Sequence, residues 1–152
     1  MMKKILVPID GSEPSKKAFD YALEVADKCG GEIAVLSVVP PVLVPILSEE
    51  SGTAPYITAS EIERVNRRMT ASFDDVLSEA LAKARNMKPN LKVRTMLEQG
   101  RPGDRIVEVA KKGEFDLIIM GSRGLSGLSE FILGSTTHHV ADNCTCPLLI
   151  IK

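Results

Sequence analysis

Gly121, Gly124 and the run Gly134-Ser135-Thr136 are the residues of this chain best suited to hold an anion. They follow Asp116-Leu117-Ile118-Ile119-Met120, an apolar run that reads as a buried strand, and they end where a helix can begin. Glycine lets main-chain N–H groups approach a bulky anion with no Cβ in the way. A helix start offers unpaired N–H donors and a partial positive charge. Strand, glycine loop and helix start together describe a phosphate cradle at the mouth of an α/β sheet. The competing reading is a surface connection with turn glycines, in which Ser135 or Thr136 caps the last helix. Loops of this length are usually functional or disordered, and the placement between strand and helix favours function.

Arg123 lies between the first two glycines, where a guanidinium can fork onto phosphate oxygens or remain a solvated surface charge. Asp10 ends the first apolar run. Its carboxylate can hold a ribose or the water shell of a metal, or it can cap the turn through Gly11 and Ser12. His138 and His139 are adjacent on the last helix and face different directions, so they read as exposed surface histidines. No Lys or second carboxylate is spaced to build a hydrolytic site with them. The expectation is binding with at most weak turnover, and no catalytic residue is assigned.

Strands and helices alternate along the chain. Lys4–Ile9 reads as the first strand, and Ser12-Glu13-Pro14 as the start of a helix that ends at Gly30-Gly31. Glu32–Val39 is a second strand, stopped by Pro40 and Pro41. Pro40–Thr58 reads as a long loop, apolar at Val42, Leu43, Val44, Ile46 and Leu47, suited to a lid or a contact surface. From Ser60 to Met87, Ile62, Val65, Met69, Phe73, Val76, Ala80 and Ala84 recur at helical spacing. Leu91–Leu97 is a third strand, and Gly100-Arg101-Pro102-Gly103-Asp104 leads into another helix. Phe115–Met120, Gly134–Asn143 and Pro147–Ile151 follow as strand, helix and strand. This alternation, with apolar strands, implies a single-domain α/β fold: an open five-stranded parallel sheet with helices on both faces.

The bulk numbers exclude several classes. The chain has 152 residues, 44% apolar and 26% charged, with a net charge of −1. One domain with a real core fits that length. No basic field exists to hold nucleic acid. No segment approaches membrane-spanning length, and the apolar start stops at Pro8 and Asp10, too soon for a signal sequence. The default compartment is therefore the cytoplasm. Cys29, Cys144 and Cys146 read as reduced thiols, since Cys144-Thr145-Cys146 lacks the spacing of a redox or zinc pair. A Gly-Lys-Ser/Thr phosphate loop is absent, as is Gly-x-Gly-x-x-Gly after the first strand. A phosphorylated receiver is disfavoured too: Asp10 lacks an acidic neighbour, and Leu97-Glu98-Gln99-Gly100 supplies no acceptor Asp.

The sequence resembles the universal stress protein family, whose nucleotide-binding members carry Gly, two residues, Gly, nine residues, then Gly with Ser or Thr. Gly121, Gly124 and Gly134-Ser135 match that spacing. Ile5-Leu6-Val7-Pro8-Ile9-Asp10-Gly11-Ser12 and Cys146-Pro147-Leu148-Leu149-Ile150-Ile151 resemble the family's two ends, so the likeness spans the chain. The resemblance implies the adenine nucleotide alpha hydrolase-like fold, with strand order 3-2-1-4-5. Strands one and four then end side by side, and a ligand crevice opens between Asp10 and Gly121. It also implies that Gly121, Gly124, Gly134, Ser135 and Thr136 wrap the triphosphate of ATP or another adenine nucleotide. By the same resemblance Asp10 contacts the ligand or a Mg2+ or Mn2+ ion, and Pro8 and Ile9 line the adenine. Val38 or Val39 meets the base edge through backbone groups, and Met120 packs beneath sugar or base unless it is only a core methionine.

The last strand, 147–151, would leave an apolar edge exposed in a monomer, and the resemblance pairs it with its copy in a homodimer. The function implied is that of an ATP-binding regulator of a stress or signalling response. The alternative is a dimerisation or interaction module of the same fold that binds no nucleotide.

Overall fold

The strands carry the sheet in the order three, two, one, four, five, all parallel. The structure, a computed structural model, describes residues 2–43, 57–124 and 132–152. Residues 44–56 of the Pro40–Thr58 segment and 125–131 of the glycine segment lie outside the described residues. The elements are β1 (Lys4–Pro8), α1 (Glu13–Cys29), β2 (Glu32–Val39), α2 (Ala59–Met87), β3 (Val93–Gln99), α3 (Pro102–Lys112), β4 (Leu117–Gly121), α4 (Ser135–Asn143) and β5 (Leu148–Ile151).

Alternation along the strands sorts the core into two layers. Ile5, Val7, Ile33, Val35, Leu117 and Ile119 pack with α1 and α2. Leu6, Ala34, Leu36, Ile118 and Met120 pack with α3 and α4. A strand covered on both faces can carry apolar residues without a break, which is why the run Ile5-Leu6-Val7 and the run Leu117-Ile118-Ile119 are wholly buried. The helices start where the sequence supplies caps. Ser12 caps α1, with Pro14 in its first turn and left-handed Gly30 (φ 63°) beyond its end. Thr58 and Glu61 exchange hydrogen bonds in a capping box that opens α2.

Asp116 joins the chain start to the foot of β4. Its Oδ2 accepts the N–H groups of Lys3 at 2.9 Å and Lys4 at 2.8 Å. These backbone hydrogen bonds, Lys4 foremost, hold the carboxyl below the usual aspartate range.

Four strands differ in bounds from those expected, among them β4, which runs Leu117–Gly121 and not Phe115–Met120. β3 begins at Val93, not Leu91, and runs on to Gln99 because its register with β2 continues to the pair Val39 and Gln99. It is an edge strand, and its polar Arg94 and Glu98 are what an unpaired edge tolerates. Ile9 falls just beyond β1, although its N–H still reaches Leu36 O at 2.8 Å. Pro147 likewise falls outside β5, while its carbonyl accepts the Ile118 N–H at 3.0 Å.

Candidate functional site

β1 and β4 lie side by side, and their connections leave toward opposite faces of the sheet, since α1 covers one face and α4 the other. A crevice must open where they part. A cavity of about 380 Å³ lies there, within the range of small-ligand sites. Of the residues expected to bind a ligand, Pro8, Ile9, Asp10, Val38, Met120, Gly121, Arg123, Gly124, Gly134, Ser135 and Thr136 all line it. Val39 does not. Neighbouring strand residues point to opposite faces, and the Val39 carbonyl is already taken by the Gly100 N–H at 3.0 Å.

Asp10 makes the turn contact the sequence allowed and also lines the cavity. Its Oδ1 accepts the Ser12 N–H at 3.0 Å, closing the turn into α1. Its Oδ2 faces Gly124, where a Cβ would stand only 2.6 Å away. Arg123 is half-buried on the cavity wall, not a solvated surface charge. Its carbonyl accepts the Ser12 hydroxyl at 3.5 Å, which draws the glycine segment to the cap of α1.

The three signature glycines do different work. A Cβ on Gly121 would come within 2.7 Å of the Pro14 carbonyl carbon, so this glycine lets the first turn of α1 pack on the end of β4. The N–H of Gly134 donates to Ser122 O at 2.8 Å and is therefore spent within the fold. Its missing side chain matters because Arg123 Cα would lie 3.3 Å from a Cβ there. Gly124 has no neighbour closer than the Asp10 carboxylate. Gly134 caps α4 with no side-chain hydrogen bond, and Ser135 and Thr136 in the first turn of that helix, where main-chain amides lack helical partners, line the cavity.

The wall divides by chemistry. Leu36, Val38, Pro40, Phe73, Pro102 and Ile106 form an apolar side drawn from β2, α2 and α3. Asp10, Arg123, Gly124, Ser135 and Thr136 form a polar side drawn from the ends of β1 and β4 and the start of α4. Thr137, also on the wall, spends its hydroxyl on Gly121 O at 2.9 Å. Sequence reading missed Ser15, Leu36, Pro40, Phe73, Pro102, Ile106 and Thr137 on this wall. Phe73 stood in an apolar helix stripe that looked like core, and nothing in the spacing of Pro102 or Ile106 placed α3 against this crevice.

Asp10 and Arg123 are the titratable side chains among the described residues of the wall. His138 pairs with Asp142 at 3.1 Å on the surface of α4, away from the cavity. His139 is not simply a surface residue: its Nε2 meets Asp104 at 2.9 Å, and its ring packs on Gly103, tying α4 to α3. The three cysteines are free, and burial pushes the Cys146 thiol up, which keeps it protonated.

Residues 1–152 match the sequence model of the Universal stress protein family. Universal stress protein YxiE of Bacillus subtilis is 34% identical over 152 residues, covering all of both chains. The universal stress protein UspA of Lactobacillus plantarum has a solved structure that superposes with a TM-score of 0.78 at 24% identity, covering 99% of this chain and 98% of that one. A universal stress protein solved in complex with cAMP superposes with a TM-score of 0.70 at 25% identity, covering 99% and 97%.

Proposed function

This chain belongs to the universal stress protein family, and from that premise we propose that its crevice binds an adenine nucleotide, ATP foremost, and that the protein regulates a stress or signalling response according to nucleotide occupancy. The observation that carries this is one cavity with two chemically distinct sides. The apolar side, with Leu36, Val38, Met120 and Ile106, suits a flat base. The polar side, with the first amides of α4, the Ser135 and Thr136 hydroxyls and Arg123, suits a chain of phosphates. The relative that carries cAMP lends support to an adenine base in this place. With Asp10 the one carboxylate on the described wall, binding with at most weak hydrolysis is the activity expected.

Mg2+ or Mn2+ fits the same arrangement in a restricted way. Among the described residues no three His, Cys, Asp or Glu gather to hold an ion by themselves. Such ions commonly keep water and take one or two carboxylates with phosphate oxygens. Asp10 would supply that carboxylate through the oxygen facing Gly124, and the ion would neutralise phosphate charge.

β5 is an edge strand whose Leu148–Ile151 residues are half-buried, and we place a homodimer contact there, through 147–151. No described helix is long and apolar enough to cross a membrane. The cytoplasm is the compartment proposed.

Titration calorimetry with ATP, together with mass spectrometry of whatever small molecule the denatured protein releases, tests the proposal. Saturable binding or a co-purified adenine nucleotide supports it. The absence of both overturns it. A second reading, a dimerisation module without nucleotide, has one observation on its side: packing alone accounts for Gly121 and hydrogen bonding within the fold employs Gly134. Gly124 differs in that the atom its Cβ would meet is a side-chain carboxylate oxygen of the cavity wall, Asp10 Oδ2, and that residue separates the two.

A further inference from the structure

Phe73 is the aromatic ring that the described cavity wall contains, and the fold makes little use of it. It stands half-buried on α2, in the part of the helix before Leu77 where no residue is buried. Among the described residues it packs against neither of the two core clusters, whereas Phe19 and Phe115 are buried members of them. The apolar partners of α2 in the core are Leu77, Ala80 and Ala84, with Val76 at their margin. A large half-buried ring outside both cores, on the wall of the cavity, keeps apolar surface that a flat ligand can cover.

The residues that share this wall indicate what covers it. Ile9, Val38 and Pro40 line the same cavity, and the amide and hydroxyl groups of the α4 start lie on its polar side. A ligand whose anionic tail meets α4 would place its other end among Val38, Pro40 and Phe73. We propose that Phe73 stacks on the face of the bound purine and sets the preference for a nucleotide with an aromatic base over a bare polyphosphate. This rests on nucleotide binding in the crevice, and it adds a base-gripping residue on a helix outside the glycine signature. Stacking of a base on an aromatic side chain is tolerant of base identity, because every base presents a π face. The ring therefore selects for a base as such, while backbone groups near Val38 are left to tell one base from another.

The test measures ATP and inorganic tripolyphosphate affinity by calorimetry for wild type, Phe73→Ala and Phe73→Trp. Phe73→Ala should weaken ATP binding roughly 5- to 150-fold, the span that aromatic–base stacking supplies. It should leave tripolyphosphate affinity unchanged, and the melting temperature of the ligand-free protein should hold because the ring is outside the core. Phe73→Trp should restore ATP affinity. The natural chain contains no Trp, so that variant also carries a single tryptophan, whose emission a stacked purine should quench and tripolyphosphate should not. Undiminished ATP binding by Phe73→Ala, with wild type binding normally, overturns the stacking role alone. So does an equal loss of ATP and tripolyphosphate affinity. Failure of wild type to bind ATP at all removes nucleotide binding and the stacking role together.

Discussion

The Asp10 carboxylate faces the α-carbon of Gly124 so closely that a Cβ there would stand 2.6 Å from Oδ2. The contact joins the end of β1 to the segment that follows β4, across the switch point where the ligand crevice opens. Asp10 cannot simply swing aside, because its Oδ1 is engaged with the Ser12 N–H at 3.0 Å. Gly124 is thus the glycine whose missing side chain leaves room for the Asp10 carboxylate.

Gly124→Ala is expected to displace Asp10 and weaken ATP binding at least about tenfold, with folding little changed because the residue is only half-buried. Asp10→Ala should weaken binding as well. The double variant should lose less than the two single losses combined, since neighbours that share a contact couple by roughly 0.5–3 kcal/mol. Calorimetry on the four proteins measures the coupling. Additive losses would mean that the two residues act separately.

Gly121→Ala should behave in the opposite way. Its Cβ would meet the Pro14 main chain, with the carbonyl carbon at 2.7 Å and the oxygen at 2.9 Å, and backbone at the start of a helix gives little. Overpacking of this kind costs about 1–3 kcal/mol. A lowered urea midpoint with unchanged slope is expected, and unaltered stability would contradict the packing role assigned here.

Acid should weaken the protein in part through Asp116. Backbone hydrogen bonds from Lys4 and Lys3 hold this carboxyl below its ordinary value. A depressed folded pKa means stability that is present above the unfolded value of about 3.9 and is lost as pH falls through the lower folded value. Asp116→Asn should flatten the acid limb of a plot of urea midpoint against pH, and it should lower stability at neutral pH where the carboxylate is charged. An acid limb identical to wild type would show that other groups set it.

The alternation of strands and helices and a sheet covered on both faces were legible because they follow from patterns the chain states locally, whereas the strand order came from the family resemblance. Runs such as Ile33-Ala34-Val35-Leu36, short and bounded by Gly30-Gly31 and Pro40-Pro41, read as strands buried on both faces. The crevice rim was legible for the same reason, being built from consecutive residues at the ends of β1 and β4. Phe73, Pro102 and Ile106 were not, because their part in the wall depends on how α2 and α3 lie over the sheet, and helical spacing says only that they face inward. Val39 does not line the cavity, and its carbonyl is held by the Gly100 N–H at the end of β3, a contact that spacing along the chain does not state. The separate duties of Gly121, Gly124 and Gly134 were hidden because a motif records spacing and not neighbours.

Ile150 offers the sharpest test of the proposed dimer. Leu149 and Ile151 pack on the α1–α2 core layer and Leu148 on the α3–α4 layer, whereas Ile150 joins neither among the described residues. It pairs with Met120 inside the sheet through the backbone, and β5 leaves its other edge without a strand partner among the described residues. Ile150→Lys therefore places a charge on the edge while sparing both cores, the device by which natural sheets prevent strand-to-strand association. Sedimentation equilibrium should show a dimer for wild type and a monomer for the variant, with melting changed only as far as the lost association requires. A wild-type monomer at high concentration would remove the dimer. A variant that stays dimeric would move the contact away from β5, because two edge strands that face each other cannot bury opposed lysines without losing their hydrogen-bonded register.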